Sequence, residues 1–229
     1  MGPIPIQSLS VAPAFYTTQV DLCGPFNAYS QHHRRTTAKI WLVVFCCIST
    51  SCTDIRVMED YPSTSFILAF SKFTCAYGYP KLLLSDEGSQ LIKSFETMKL
   101  NFVNIKQSLF SNMNVDYQVC PVGGHNMNGK VERKIREIKK SLQKSLDGKR
   151  ISILQWESLV TEVANNINNL PLALGNIVSN YESMDLLTPN RLILGRNNER
   201  SPIGSMDVTS DPKRIFKTNQ AIFNAWFEN

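Results

Sequence analysis

The chain has 229 residues, a length that suits one domain of ordinary size or one domain with a tail. Hydrophobic residues make up 43% of it, which is enough for a buried core and excludes a disordered protein. The net charge of +5 is compatible with a polyanionic partner but is too common to indicate one. The longest apolar run, residues 40–48, is far too short to cross a bilayer, and the first residues lack the basic and apolar segments of a signal peptide. We therefore expect a soluble, intracellular protein.

The first third of the chain predicts an extended lead-in followed by three strands. Residues 1–14 carry three prolines and form the lead-in, and residues 16–21 form a strand that is expected to end at the breaker CGPF. The polar, basic stretch 30–39 is predicted to be a hairpin loop. Residues 40–48 (IWLVVFCCI) are apolar on both faces, as in a covered central strand, and residues 54–58 (DIRVM) alternate, as in a half-covered strand.

A helix is predicted to begin at Pro62–Thr64 and to end at Gly78. Four aromatic residues within it follow at spacings of four, three and four, which places them on one stripe. These residues are Phe66, Phe70, Phe73 and Tyr77. A core role is favoured over a platform for stacking bases, because a helical stripe of aromatic residues is the ordinary signature of a buried face.

The middle of the chain predicts two more strands and a helical stretch between them. Residues 81–85 (KLLLS) form a short apolar strand with Asp86 at its carboxyl end. Residues 91–113 are mixed and predicted to be helical, residues 115–119 (VDYQV) form a last strand, and residues 121–129 (PVGGHNMNG) form a glycine-bearing loop.

The clearest helix in the sequence runs from Lys130 to about Leu146. Its apolar stripe consists of Val131, Ile135, Ile138, Leu142 and Leu146, and its polar stripe consists of Glu132, Arg136, Lys139 and Gln143. A second helix is predicted over residues 152–170, with Trp156, Leu159, Val163, Ile167 and Leu170 on its apolar face. The remainder is loop-rich, contains LTPNRLILG, and closes with what is expected to be the start of a further helix. The order of strands and helices is that of a mixed α/β domain.

Six cysteines occur without any paired spacing: Cys23, Cys46, Cys47, Cys52, Cys75 and Cys120. We expect them to be reduced and mostly buried, as in an intracellular protein. His32 and His33 precede two of them, but the spacing fits no zinc-finger pattern. Adjacent cysteines in a strand also point to opposite faces, so we expect no zinc in this segment.

Three carboxylates fall at the predicted ends of elements. Asp21 is expected to end the first strand, Asp86 to end the fourth, and Glu132 to lie in the first turn of the strong helix. If the first and fourth strands are neighbours, the two aspartates lie side by side, and a helix packed on the sheet brings the glutamate to them. Hard oxygen ligands of this kind favour Mg²⁺ or Mn²⁺, and two such ions about 3.5–4 Å apart can hold the attacking and leaving oxygens of a phosphoryl transfer. Taken singly, each residue is more often a turn, cap or helix-dipole residue than a metal ligand.

The flanking sequences resemble the three acidic motifs of retroviral and retrotransposon integrases. VDLCGPF around Asp21 resembles the first motif, YGYPKLLLSDEGSQL around Asp86 is similar to the second, and GGHNMNGKVERKIREIKKSL around Glu132 resembles the third. LTPNRLILG looks like a Thr-Pro segment that often follows such cores. The long interval between Asp86 and Glu132, together with the Gly-Gly before the loop, is most like the BEL/Pao group of retrotransposons.

The resemblance implies a ribonuclease H-like fold: an α/β domain with a five-stranded mixed sheet of order 3-2-1-4-5 and helices on both faces. It implies a divalent-metal-dependent polynucleotidyl transferase that trims the 3′ end of the element's DNA and joins it to target DNA, with Asp21, Asp86 and Glu132 as catalytic ligands of two Mg²⁺ or Mn²⁺ ions. It further implies DNA ends and target DNA as partners, a homo-oligomer, no membrane, and a location in the nucleus or a virus-like particle. We expect residues 15–195 to form the catalytic core and residues 196–229 a linker with the start of a truncated segment. Because the motifs of the flanking domains of full integrases are absent, an excised core, a fragment or a degenerate copy is expected.

Candidate DNA contacts follow from position. Arg136, Lys139 and Gln143 share a helix face with Glu132, so they are placed to meet phosphates near the metals, and Lys140 lies beside them. The loop residues His125 and Asn128 are candidates for contact with a base or a terminal nucleotide, and the basic run of residues 32–35 for contact with target DNA. A solvated basic face, or a loop without a role, is the alternative in each case.

Two other functions compete with an active transferase. One is a catalytically inactive, element-derived module that binds DNA or protein. The other is a plain nuclease of the ribonuclease H type. The presence of all three carboxylates disfavours the first, and the basic helix that carries Glu132 disfavours the second.

Overall fold

The structure is a computed structural model that describes residues 12–29, 37–59, 63–86, 115–120, 125–172 and 187–198, with only the backbone described at 63, 64, 86, 120 and 125–128. The described elements follow one another as β1 (Thr17–Tyr29), β2 (Thr37–Cys47), β3 (Thr53–Glu59), α1 (Ser63–Tyr77), β4 (Leu82–Asp86), β5 (Asp116–Cys120), α2 (His125–Leu146), β6 (Ile151–Ser152), α3 (Ile153–Asn168) and α4 (Pro189–Leu194). The predicted helical stretch 91–113, the basic run 32–35 and the closing segment 217–229 lie outside the described residues.

One mixed sheet organises the chain. Its strand order is β3-β2-β1-β4-β5, with β1–β2 and β2–β3 antiparallel and β1–β4 and β4–β5 parallel. The predicted order is therefore confirmed. A sixth strand, β6, was not predicted: it pairs in parallel with the end of β1, at Ala28 and Tyr29. Because β6 is only two residues long, it carries no alternation from which a strand can be inferred.

Strand β1 does not end at CGPF as expected. It continues to Tyr29 through a β-bulge, in which Gly24 and Pro25 oppose the single residue Trp41 before pairing resumes at Phe26 and Ile40. Gly24 has φ +147°, and an added Cβ would lie 3.2 Å from the Ile40 carbonyl, so only glycine fits here. The expectation that Asp21 ends the strand was consequently wrong: Asp21 is an interior residue of β1, eight residues before its end.

Helix α1 covers one face of the sheet. Phe66, Phe70 and Phe73 are buried there, and the ring of Phe73 stacks on Phe45 of β2 with centroids 4.2 Å apart. Phe15 closes the same cluster, with its ring centroid 4.5 Å from that of Tyr77. The aromatic stripe is thus core, as predicted, and the helix ends before Gly78, which has φ +84°.

Helices α2 and α3 cover the other face. Val131, Ile138 and Leu142 of α2 pack with Trp156 and its neighbours on α3 against inward residues of β1 and β2. Cys46 belongs to this face and Cys47 to the α1 face, so the adjacent cysteines do point to opposite sides. All cysteines with described side chains are reduced, and all of them except Cys75 are buried.

Helix α2 begins at His125, five residues before the predicted start at Lys130. Two expectations were therefore wrong. Glu132 is the eighth residue of the helix and does not lie in its first turn, and His125 and Asn128 belong to the helix and not to a loop. Gly129 is helical as well, against its intrinsic cost of about 1 kcal/mol, which explains why the sequence reads as a loop there.

The LTPNRLILG segment docks on α3 through asparagine side chains. Its short helix α4 is capped by the Thr188 side chain and ends at Gly195, which has φ +71°. Asn190 donates to the side-chain oxygens of Asn165 and Asn169, at 2.9 and 2.8 Å. The end of α3 and the beginning of α4 are therefore held together by polar contacts. Leu170, predicted as part of the apolar face of α3, is instead exposed at the end of this junction.

No helix among the described residues is both long and apolar enough to cross a membrane. The division of the chain into lead-in, core and tail remains a prediction.

Candidate active site

Asp21 lies in the interior of β1, opposite Val44 of β2. Its carboxylate oxygen Oδ1 accepts a hydrogen bond of 2.7 Å from the Leu22 amide, and the residue is half-buried. Side chains alternate along a strand, and Cys23 packs in the cluster formed with α2 and α3, whereas Val20 packs in the cluster formed with α1. Asp21 therefore projects to the face of the sheet that α2 and α3 cover.

Asp86 is the last residue of β4, as predicted. The parallel register pairs Gln19 with Leu84 and Val20 with Ser85. One residue further on, that register brings the backbone of Asp86 to the level of Asp21. The expectation that the first and fourth strands are neighbours is confirmed, whereas the meeting of the two aspartate side chains stays a prediction.

Glu132 is exposed and shares one flank of α2 with Arg136, Lys139 and Gln143, all of which are exposed as well. A helix turns by about 100° per residue, so Glu132 lies about 200° around the helix axis from Lys130. By the same count Lys139 lies about 180° around the axis from Lys130, so the flank that bears Glu132 and Lys139 is opposite the flank that bears Lys130. Between the two flanks stands the stripe that is buried on the sheet, which includes Val131 and Ile138.

Two sets of charges show which way each flank of α2 faces. Burial raises the pKa of the Cys23 thiol to about 11, the positive charge of Lys139 lowers it, and the negative charge of Asp21 raises it. Lys139 and Asp21 thus lie within electrostatic range of one buried thiol on β1. The flank that bears Glu132 and Lys139 is therefore turned towards β1.

The opposite flank meets β2. Lys130 donates a hydrogen bond of 2.5 Å from Nζ to the Ile48 carbonyl, just past the end of β2. Burial raises the pKa of Cys46 on β2 to about 12, and the positive charges of Lys134 and Lys130 lower it. Lys130 meets Ile48, which lies beside Thr17 at the start of β1, whereas Lys139 acts on Cys23 further along that strand. Helix α2 therefore runs in the same direction as β1.

Coordination of a metal by three carboxylates is a prediction that the described side chains do not test. Among them, no three His, Cys, Asp or Glu residues are grouped closely enough to hold an ion. The side chain of Asp86, the third member of the predicted set, lies outside the described side chains. Carboxylates are the ligand type that Mg²⁺ and Mn²⁺ take, so the residue types at these positions fit such ions.

The DNA-binding candidates fall into two groups. Arg136, Lys139, Lys140 and Gln143 are exposed along α2 and available to a polyanion. For His125 and Asn128 only the helical backbone is described, so their predicted contacts remain predictions.

Sequence reasoning missed Lys130 and Lys134. Their spacing of four indicates a shared helix flank, but only the packing of α2 shows that this flank meets β2. Lys134 is largely buried, with its side chain 14% exposed, and it pairs with Glu137 at 3.0 Å.

No protein-family model matches the chain, and no curated protein sequence matches it. Among solved structures, the chain aligns over 87% of its length with 61% of a chain in a simian T-cell lymphotropic virus intasome in complex with the PP2A regulatory subunit B56 gamma, at 14% identity and a TM-score of 0.53. It also aligns over 71% of its length with the HTLV-2 integrase catalytic core domain in complex with magnesium. The dimeric form gives 18% identity, 92% of that chain covered and a TM-score of 0.49, and the trimeric form gives 17%, 91% and 0.47.

The similarity to the intasome chain, taken with the strand order and the helices on both faces, establishes the fold. The protein has the ribonuclease H-like α/β fold of retroviral integrase catalytic cores. The aligned part spans less than two thirds of the intasome chain.

Proposed function

We propose that this protein is the catalytic core of a DDE-type integrase from a retrotransposon of the BEL/Pao group, a metal-dependent polynucleotidyl transferase. One arrangement carries the proposal: the β1–β4 register brings the backbone of Asp86 level with Asp21, while the Lys130 contact with the end of β2 leaves the opposite flank of α2, which bears Glu132, on the β1 side. Asp21 and the flank of α2 that bears Glu132 thereby lie on one face of the sheet, and the backbone of Asp86 lies beside Asp21; we propose that the three carboxylates meet there.

The reaction that this arrangement supports has two in-line displacements at phosphorus. In the first, a water oxygen attacks a phosphodiester near the 3′ end of the element's DNA, and the bond from phosphorus to the 3′ oxygen breaks, which leaves a free 3′ hydroxyl. In the second, that hydroxyl attacks a target phosphodiester, and the target's own 3′ oxygen leaves with a proton. Bound Mg²⁺ or Mn²⁺ ions, two in the proposal, supply charge stabilisation to the attacking and leaving oxygens. Asp21, Asp86 and Glu132 are the residues that would hold these ions.

The exposed cations of α2 serve as the DNA-binding surface in this proposal. Arg136 and Lys139 lie on the flank that bears Glu132, so a DNA end seated on them has its terminal phosphates near the carboxylates. The HTLV-2 cores and the intasome are assembled from several chains, and we propose that this protein also acts as an oligomer on DNA, in the nucleus or a virus-like particle.

The decisive experiment is a strand-transfer assay with a short duplex that mimics an element end, in Mg²⁺ and in Mn²⁺. Asp86→Asn and Glu132→Gln are expected to reduce joining by about a hundredfold or more, since the metal contributes several kcal/mol to the transition state. Asp116→Asn is the matched control, because Asp116 is exposed at the start of β5 and pairs only loosely with Lys81, at 3.5 Å.

Each alternative has its own outcome in this assay. Joining that persists in Asp86→Asn would refute the site. Hydrolysed DNA without any joined strand would favour a nuclease, and DNA binding without cleavage in either metal would favour an inactive binding module.

The DNA-binding surface is tested separately by the salt dependence of affinity. Each phosphate contact contributes about 0.9 to the slope of log affinity against log salt concentration, so the double variant Arg136→Ala/Lys139→Ala is expected to lower that slope by about two. Lys149→Ala, an exposed lysine beyond the end of α2, is the control and should leave it unchanged. An unaltered slope in the double variant would place the DNA elsewhere.

A further inference from the structure

Lys130 makes a contact that no step of the proposed reaction uses. Its Nζ donates to the backbone carbonyl of Ile48, 82 residues earlier in the chain. Ile48 is itself fixed: it is 3% exposed, and its amide donates a 3.0 Å hydrogen bond to the Thr17 carbonyl at the start of β1. The contact therefore ties α2 to the point where β2 and β1 meet. A hydrogen bond with a charged donor is stronger than one between neutral groups.

The beginning of α2 depends on tertiary contacts such as this one for its stability. Its first five residues, HNMNG, include two asparagines and a glycine, which are weak helix formers. A helix of low intrinsic propensity depends on packing, yet the first buried residue of α2 with a described side chain is Val131. The Lys130 contact precedes it by one residue and lies at the boundary between the weak segment and the packed one.

Glu132 lies two residues beyond Lys130, on the opposite flank of the helix. The Lys130 flank is held against β2 and the Glu132 flank faces β1, so a shift or fraying of the helix beginning displaces Glu132 relative to Asp21. Metal sites and catalytic sites tolerate errors of only about 0.5 Å in the position of a ligand. The Lys130 contact holds the first turns of α2, whose movement would displace Glu132.

We propose that Lys130 is a positioning residue, which holds the amino-terminal turns of α2 against the end of β2 and thereby sets the location of the Glu132 carboxylate. The catalytic part of this proposal rests on the proposed function, whereas the anchoring part stands on the contact itself. Lys130 acts through Glu132 and does not need to touch DNA.

Two substitutions separate anchoring from charge. Lys130→Met keeps the length and the apolar stem but removes the donor, and Lys130→Arg keeps a charged donor. Lys149→Met is the control, because it removes an exposed lysine that lies beyond the end of α2. Amide hydrogen exchange over residues 126–134 is measured first, since it reports the stability of these turns without any need for activity.

In Lys130→Met we expect exchange over these residues to rise about tenfold or more, as the loss of a charged hydrogen bond predicts. The single-turnover joining rate should fall by a similar factor or more, with KM for DNA within about twofold of the wild-type value and the salt slope of binding unchanged. Lys130→Arg should restore both exchange and rate towards wild type, and Lys149→Met should alter neither.

Unchanged exchange in Lys130→Met would overturn the anchoring role. A salt slope that falls by about one, with exchange unchanged, would show that Lys130 contacts a phosphate instead. If the wild-type protein joins no DNA, the proposed function fails and the catalytic part of this proposal fails with it, while the exchange comparison still decides whether Lys130 holds the helix.

Discussion

The side chain of Asn168 covers the edge of the described sheet, and its removal gives the sharpest stability prediction. Asn168, at the end of α3, accepts a hydrogen bond of 2.8 Å from the Thr53 amide and donates one of 2.8 Å to the Thr53 carbonyl. Thr53 begins β3, the strand at one end of the described sheet order. The side-chain amide thus pairs with the edge as a neighbouring strand would, and Asn168 and Thr53 are only 5% and 1% exposed.

Substitution of Asn168 by alanine leaves both backbone groups of Thr53 buried without that partner. Each unsatisfied group costs about 1–3 kcal/mol, and alanine returns about 0.5 kcal/mol through its higher helix propensity. The free energy of unfolding should therefore fall by about 2–5 kcal/mol. For a domain of this size that corresponds to a decrease in Tm of roughly 5–15 °C.

Urea unfolding followed by far-ultraviolet circular dichroism measures this loss. Asn166→Ala is the matched control, since Asn166 lies in the same helix, is half-buried and gains the same helix propensity. An Asn168→Ala variant that unfolds within about 0.5 kcal/mol of Asn166→Ala would refute the claim that the side chain satisfies the strand edge.

Three further changes test other parts of the structure. Asn190→Ala removes the hydrogen bonds to Asn165 and Asn169, so it should weaken the docking of α4 on α3 by about 1–3 kcal/mol and speed proteolytic cleavage within residues 187–198. Cleavage at the wild-type rate would contradict this. Gly24→Ala should lower the free energy of unfolding by more than Gly148→Ala does. Both glycines have a positive φ, but only at Gly24 does an added Cβ come within 3.2 Å of the Ile40 carbonyl. Equal losses of stability in urea unfolding would disprove the bulge packing. Burial raises the pKa of Asp54, although hydrogen bonds from Arg56 and Tyr77 oppose the shift, so the folded state binds the proton more tightly than the unfolded state does. The free energy of unfolding of wild type relative to Asp54→Asn should therefore fall as pH rises from about 4 through the raised pKa. A difference that stays flat or rises with pH would exclude this.

Much of the fold could be predicted from periodicity. The aromatic stripe of α1 and the Val131–Ile138 stripe of α2 are buried as expected, because a spacing of three and four selects one side of a helix and apolar surface avoids water. The run that is apolar on both faces became β2, an inner strand, and the alternating run became β3, a strand at the end of the described sheet order. In both cases apolar side chains are placed where the sheet is covered.

The boundaries of elements could not be predicted equally well. CGPF looked like the end of β1, but pairing with β2 on both sides of Gly24 absorbs the break as a bulge. HNMNG looked like a loop, but it forms the beginning of α2 against its intrinsic propensity. At Gly24 a long-range pairing, which has no local pattern, outweighs the preference of the nearby residues.

For the site, the sequence by itself determined which residues are the candidates for the chemistry: three carboxylates in recognisable motifs and a helix with a basic flank. The tertiary structure alone decided where those residues stand. The parallel register set the backbone of Asp86 level with Asp21, and the Lys130 contact with the end of β2 fixed which flank of α2 faces β1. The physical reason is that periodicity acts over a few residues and specifies the face of an element, whereas register and helix rotation depend on contacts between residues far apart in the chain, which form only when the whole core packs.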